Sequence, residues 1–283
     1  VTFGPDILAR TLSGPNVEDK QGQWWQYNSR SDHHSKVACW AVLFDLLTSS
    51  SLMRAHAAEG KVAFGINRKL NDWTSNRTKN LDLVVARTSE EEGAKTVDLG
   101  TMADKFGIKL TAAEQTRLDG LPTSPIGVAG SVVLVALEAK ATMTAHIRAL
   151  PRLHDELTSS FQTIHGDSNN ALAVGLSIIN HANTFVSSDL NKIPGHRVVS
   201  THNQPKDTER TIAKIEEIHR RSGSHDGQRG FDALGIIVLD CKNDGSPVTL
   251  VTNPPAPQPG NQFHYANMIN RAAQAYDSSF RHV

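Results

Sequence analysis

Three charged residues stand where a folded chain ordinarily places apolar ones. The run "VVLVALEAK" carries Glu138 and Lys140 at its end, and "NLDLVVA" carries Asp82 near its start. A buried charge is costly unless it is paired or bound to an ion. Side chains alternate across a strand, so Glu138 and Lys140 share one face while Ala139 turns to the other. The carboxyl end of a buried strand is also where α/β sheets commonly build their sites. Mg2+ prefers oxygen ligands, and one carboxylate alone holds it poorly. If the two apolar runs are neighbouring strands, Asp82 and Glu138 converge on one divalent ion. Such an ion polarises a phosphate and lowers the pKa of a water. Lys140, a compact point charge, then orients that water or neutralises charge in the transition state.

The elements that must position these residues are legible as patterns. "SKVACWAVLFDLL" (35–47) has the apolar spacing of a helix with a wide buried face. "KVAFGI" (61–66) and "LDLVVAR" (81–87) are short β-rich runs, and the polar, basic stretch between them reads as a hairpin or a long loop. Residues 88–130 read as an insertion, with an acidic cluster and two small helices near "TMADKFGI" and "TAAEQTRLDGL". A strand over 132–140 leads into a helix, because Met143, Ile147, Leu150, Leu157, Phe161 and Ile164 recur three, four or seven apart. Pro151 is expected to kink that helix or to start a second one. A second buried strand follows at 171–180, and an amphipathic helix at 206–223 is closed by Gly223. "FDALGIIVLD" (231–240) and "SPVTLV" (246–251) flank the turn signal "CKNDG", and 263–276 form a last helix. Residues 1–34 read as a polar lead-in that packs through "QWWQY". A strand–helix–strand crossover between nearly continuous apolar strands implies a parallel pair covered on both faces.

Asp82 and the triplet Glu138-Ala139-Lys140, in the order helix, strand, strand, strand, helix, strand, resemble the PD-(D/E)XK nuclease superfamily and, within it, the restriction-endonuclease-like proteins. The resemblance covers about residues 35–185. It implies an α/β fold with a restriction-endonuclease-like core, a central mixed sheet flanked by helices. It also implies that Asp82, Glu138 and the backbone carbonyl of Ala139 bind Mg2+, with Mn2+ as a substitute, while Lys140 assists the attacking water. The activity implied is Mg2+-dependent hydrolysis of duplex DNA by a homodimer of the type II restriction class. Two features depart from the family pattern. Leu81 stands where a proline is frequent, and the 56 positions (138 − 82) between the acidic residues are many. The insertion 88–130 accounts for the second.

Rival features occupy the same chain. Asp240-Cys241-Lys242 repeats the triplet chemistry, but a turn follows it instead of a crossover helix. Ser31-Asp32-His33-His34 is similar to the motif of the DHH phosphoesterases, yet it precedes a helix and lacks companion aspartate motifs; Asp32 reads as a helix N-cap or first-turn residue. Asn67, Arg68, Lys69, Arg77 and Lys79 lead into the Asp82 strand and could contact a phosphate backbone or form a solvated loop. Arg148 and Arg152, after Lys140, carry the same two readings, and Trp73 could stack on a base.

Composition bounds these readings. The chain has 283 residues, 39% hydrophobic and 20% charged, with a net charge of zero, which suits a folded domain and permits only a local basic patch. The expectation is one nuclease domain, with its core at 35–185 and a C-terminal α/β extension at 206–283. No run approaches the roughly 20 apolar residues of a membrane span. The first residues lack a basic-then-apolar signal pattern. Cys39 and Cys241 both lie in apolar patterns, as buried free thiols do. A cytoplasmic protein without membrane contact is expected. Two other functions fit the same residues: an inactive nuclease-fold protein that binds nucleic acid, with Glu138 and Lys140 merely paired, and a metal-dependent phosphohydrolase acting on small nucleotides.

Overall fold

The apolar runs that bracket the three charged residues become strands of one sheet. The computed structural model describes residues 1–72, 76–88, 96–125, 132–195, 197–223 and 227–283. Trp73 and the acidic stretch 89–95 lie outside them. Six strands form the central sheet: β1 (Val62–Asp72), β2 (Arg77–Arg87), β3 (Val133–Thr142), β4 (Leu172–Asn180), β5 (Ala233–Asp240) and β6 (Thr249–Leu250). Their spatial order is β6-β5-β4-β3-β2-β1. β1, β2 and β3 form an antiparallel meander. β3, β4 and β5 run parallel, and β6 returns antiparallel along β5. The sheet is therefore mixed.

Eight helices surround it among the described residues: α1 (Gly4–Leu12), α2 (His33–Ser49), α3 (Ser51–Ala58), α4 (Leu99–Phe106), α5 (Ala112–Asp119), α6 (His146–Asp167), α7 (Lys206–Glu216) and α8 (Tyr265–Ser279). Two apolar cores separate them. Ile7 and Leu8 of α1, Trp40 and Phe44 of α2, and Met268 and Tyr276 of α8 pack with Val85, Leu137 and Val174 on one side. Leu157 and Phe161 of α6 and Ile215 of α7 pack with Val84, Ala136 and Ala173 on the other. Every residue of β4 is buried, as a parallel strand covered on both faces requires. No single helix among the described residues is long and apolar enough to cross a membrane. Both cysteines are free and buried.

Several expectations need correction. The segment before α2 is more than a lead-in: α1 is a helix, with proline in its first turn and Ile7, Leu8 and Leu12 buried. Trp25 is buried, but its neighbour Trp24 is 58% exposed. Of the two expectations for the polar stretch, the paired one is observed: residues 68–72 and 77–81 continue β1 and β2 as an antiparallel pair, from Arg68↔Leu81 to Asp72↔Arg77. Pro151 does not start a second helix: the 22 residues of α6 run past it, and it falls in the second turn, where the ring removes one ladder bond. α7 stops at Glu216, well before Gly223, because the chain must turn to seat Arg221 on Asp232.

Candidate active site

The β2–β3 ladder ends where the charges begin. Its pairs run from Ala86↔Val133 to Leu83↔Leu137. Beyond that point β2 stays with β1 as far as Asp72↔Arg77, and β3 stays with β4 as far as Thr142↔Ile179. The sheet thus forks at Asp82 and Glu138. In place of a cross-strand carbonyl, the Ala139 N–H donates to Asp82 Oδ2 at 2.8 Å. The N–H and C=O of a strand residue point to the same neighbour, so the Ala139 carbonyl also faces the fork. Strict alternation fails on β2 here. Leu81 and Val84, three apart, both join the α6-side core. Opposite Asp82, Asn67 takes a left-handed φ of 54° and interrupts β1. The resulting twist turns Lys79 toward α6.

Glu138 is 2% exposed. Its Oε1 lies 2.8 Å from Lys140 Nζ and 3.6 Å from Lys79 Nζ. Its Oε2 is buried and has no hydrogen-bond partner among the described residues. A buried carboxylate oxygen left bare is costly, and native structures rarely tolerate one without a reason. From α6, Glu156 closes the network. Its carboxylate is 3.4 Å from Lys140 Nζ and 2.6 Å from Arg152 Nε, and its carbonyl accepts from Lys79 Nζ at 2.9 Å. Ser160 Oγ accepts from the same ammonium. Lys79, expected at a phosphate-binding surface, therefore points into the charge network.

Burial pushes the Asp82 carboxyl up to about 6, and the Glu138 charge adds to it, against the pull of the Ala139 N–H and the two lysines. Burial works against the Lys140 ammonium, but Glu138, Glu156 and Asp82 outweigh it and hold the group above its ordinary value. For Lys79, burial wins over Glu138, and the Lys140 charge joins it in lowering the pKa. Glu156 is held below the usual carboxylate range: burial opposes its charge, but Arg152 and Lys140 prevail.

The remaining predicted residues are placed as follows. Asn67 Nδ2 donates to Asp32 Oδ2 at 3.0 Å, which ties β1 to the start of α2. Asp32 occupies the N-cap position without capping; its carboxylate instead meets Lys36 Nζ at 2.8 Å. Lys69 is exposed, and the side chains of Arg68 and Arg77 lie outside the described residues. Arg148 is exposed. Burial, with help from His33, lowers the His34 pKa to about 4. Among the described residues, no group of three or more His, Cys, Asp or Glu could hold a metal ion. Asp240 pairs with Thr249 in the β5–β6 ladder, two strands from Glu138. Glu156 and Ser160 join the site without belonging to the apolar pattern of α6. Their signal was present: Arg152, Glu156 and Ser160 are spaced four apart and share one face of α6.

Two carboxylates and one carbonyl make a partial shell. That suits Mg2+, which usually keeps several waters and takes one or two carboxylates plus substrate phosphates. The bare Glu138 Oε2 and the Asp82 carboxyl, which feels the Glu138 charge, are the donors that such an ion would satisfy. No family model, curated protein or solved structure matches this chain.

Proposed function

We propose that the chain is a Mg2+-dependent phosphodiesterase of the PD-(D/E)XK type, cutting duplex DNA as a restriction-class endonuclease. The carrying observation is the forked sheet, with Asp82 held by the Ala139 N–H, the Oε2 of Glu138 bare, and Lys140 on the Glu138 carboxylate. Asp82, Glu138 and the Ala139 carbonyl would hold the ion. When bound, Mg2+ supplies Lewis-acid polarisation of the phosphate and a more acidic water.

The chain's own residues do the rest. The Ala139 N–H fixes one Asp82 oxygen and leaves the other to turn into the fork. Lys140, kept charged by three carboxylates, orients the attacking water and offsets negative charge on the phosphate. Lys79, anchored by the Glu156 carbonyl and Ser160, brings a second ammonium to Glu138. Glu156 holds both lysines to α6, so the two arms of the fork share one brace. β1 continues beyond the fork and carries the exposed Lys69 there, a position suited to a backbone phosphate. Cutting both strands calls for two copies of the site, hence a homodimer.

Incubation of the purified chain with varied duplex DNA and Mg2+ tests this reading. Cleavage is expected from the wild type, and loss of cleavage from Glu138→Ala and Lys140→Ala with the fold retained. Full activity in both variants would overturn the assignment. The Lys140–Glu138 contact of 2.8 Å favours one second reading, a nuclease fold that binds nucleic acid without cutting because its charges satisfy each other. Duplex binding without Mg2+ or Mn2+ uptake in calorimetry would select it. Hydrolysis of nucleotides with none of DNA would select the small-molecule phosphohydrolase.

A further inference from the structure

A second polar site lies at the amino end of β5. A cleft of about 640 Å3 opens there against α8, and none of its lining residues belongs to the fork. Its floor is neutralised internally. Arg221 and Asp232, both at most 3% exposed, pair through two contacts of 2.7 and 2.9 Å. Two further guanidiniums have no such partner. Arg271 donates from Nε to the Asp232 carbonyl and from Nη2 to the carbonyls of Arg221 (2.8 Å) and Ser222 (3.1 Å). Those contacts fix its orientation and leave its charge unmatched. Arg220 lies over the Phe263 ring, 4.3 Å from the centroid. No ion pair of Arg220 or Arg271 occurs among the described residues. Burial and the Arg271 charge lower the Arg220 pKa, against Glu216, so the two cations feel each other. Gln262, Asn270 and Gln274 line the same cleft, and their side-chain amides make no hydrogen bond among the described residues. Gln274 lies four residues after Asn270 and three after Arg271, so both are its neighbours on the surface of α8.

We infer that this cleft is a binding site for a phosphate ester, held between the Arg220 and Arg271 guanidiniums and the amides of Asn270 and Gln274. Two neighbouring cations without a close ion pair favour an anion of charge two or more. Arg271 keeps Nη1 free to donate, and guanidinium–phosphate hydrogen bonds are charge-assisted and strong. The free carboxamides, donors and acceptors together, suit the polar remainder of an ester better than a bare ion. The volume lies within the range of small-molecule sites, about 300–1,000 Å3. This inference stands apart from the nuclease reading, since it uses no residue of the fork.

Isothermal titration calorimetry at low salt, on the full chain without divalent metal, tests it. The probes are inorganic pyrophosphate, adenosine monophosphate and a short DNA duplex. Saturable binding of at least one probe is expected. Arg220→Gln should weaken it about tenfold, the loss of one charge-assisted hydrogen bond. Asn270→Asp should weaken it at least as much, by placing a carboxylate beside Arg271. Lys105→Gln, which removes one exposed charge on α4, should bind as wild type. Uptake of the monophosphate, weakened by the cleft variants, assigns a free phosphate ester; uptake of the duplex alone, weakened by the cleft variants, assigns a strand backbone; uptake of pyrophosphate alone overturns the ester. Gln274→Glu replaces either cleft variant that fails to fold. The inference is overturned if no probe saturates, if both cleft variants bind as wild type, or if Lys105→Gln weakens binding as much as Arg220→Gln.

Discussion

Asp82→Asn is predicted to stabilise the chain at neutral pH while abolishing cleavage. The Asp82 carboxyl is raised from 3.8 to about 6, burial first and the Glu138 charge second. Because the folded value exceeds the unfolded one, the folded chain holds the proton more tightly. Stability therefore falls as pH rises from about 4 through about 6, and the full penalty applies above that window. At about 1.36 kcal/mol for each pH unit, the penalty reaches at most about 3 kcal/mol. Asparagine keeps an oxygen for the Ala139 N–H and removes the charge beside Glu138. Urea unfolding in EDTA at about pH 4.5 and about pH 7.5 reads the difference. The variant should match the wild type more closely at the acid end and exceed it by up to about 3 kcal/mol at the neutral end. Mg2+ should narrow the gap by stabilising only the wild type, by about 2.7 kcal/mol at a hundredfold excess over Kd. A variant less stable than wild type at neutral pH, or one with an unchanged pH slope, would refute the reasoning.

Three further outcomes follow from the geometry. Glu138→Gln leaves Lys79 and Lys140 without their shared carboxylate; it should remove cleavage and lower unfolding free energy by about 1–3 kcal/mol in urea melts. Arg221→Ala strands the buried Asp232 carboxylate and should cost about 3–5 kcal/mol by the same measurement. Gly235→Ala would place a Cβ 2.6 Å from Met268 Sδ and 3.0 Å from Met268 Cβ; calorimetric melting should show a loss of about 1–3 kcal/mol, partly restored by adding Met268→Ala.

The strands and helices nearest the charges were legible because burial wrote a pattern into them. β3 and β4 read as apolar runs, and α2 and α6 as apolar recurrences, since each must cover a face of the sheet. α1 was not read, although Pro5 at its start and the Ile7, Leu8, Leu12 spacing are helical signs. Residues 67–72 and 77–80 belong to strands that gain their pairing from each other rather than from burial, so hydrophobic pattern could not report them. At the site, Asp82, Glu138 and Lys140 could be linked because alternation on β3 and a neighbouring β2 were sufficient. Lys79 could not, because the twist opposite Asn67 cancels the alternation that would predict its side. Glu156 escaped because α6 was read by its apolar stripe alone, and its charged face carries the brace.

The Ala139 amide has a second use. Its proton rests on a side chain instead of the ladder, and that side chain is the one expected to change state. In a two-dimensional nitrogen–proton spectrum, this single backbone resonance becomes a built-in gauge. It should move with acid as Asp82 takes a proton, and move again, by a different displacement, when a divalent ion arrives. Most of its strand neighbours, tied to other backbones, should stay nearly still. One peak would then distinguish an empty fork from a protonated one and from a filled one, with no substrate in the tube.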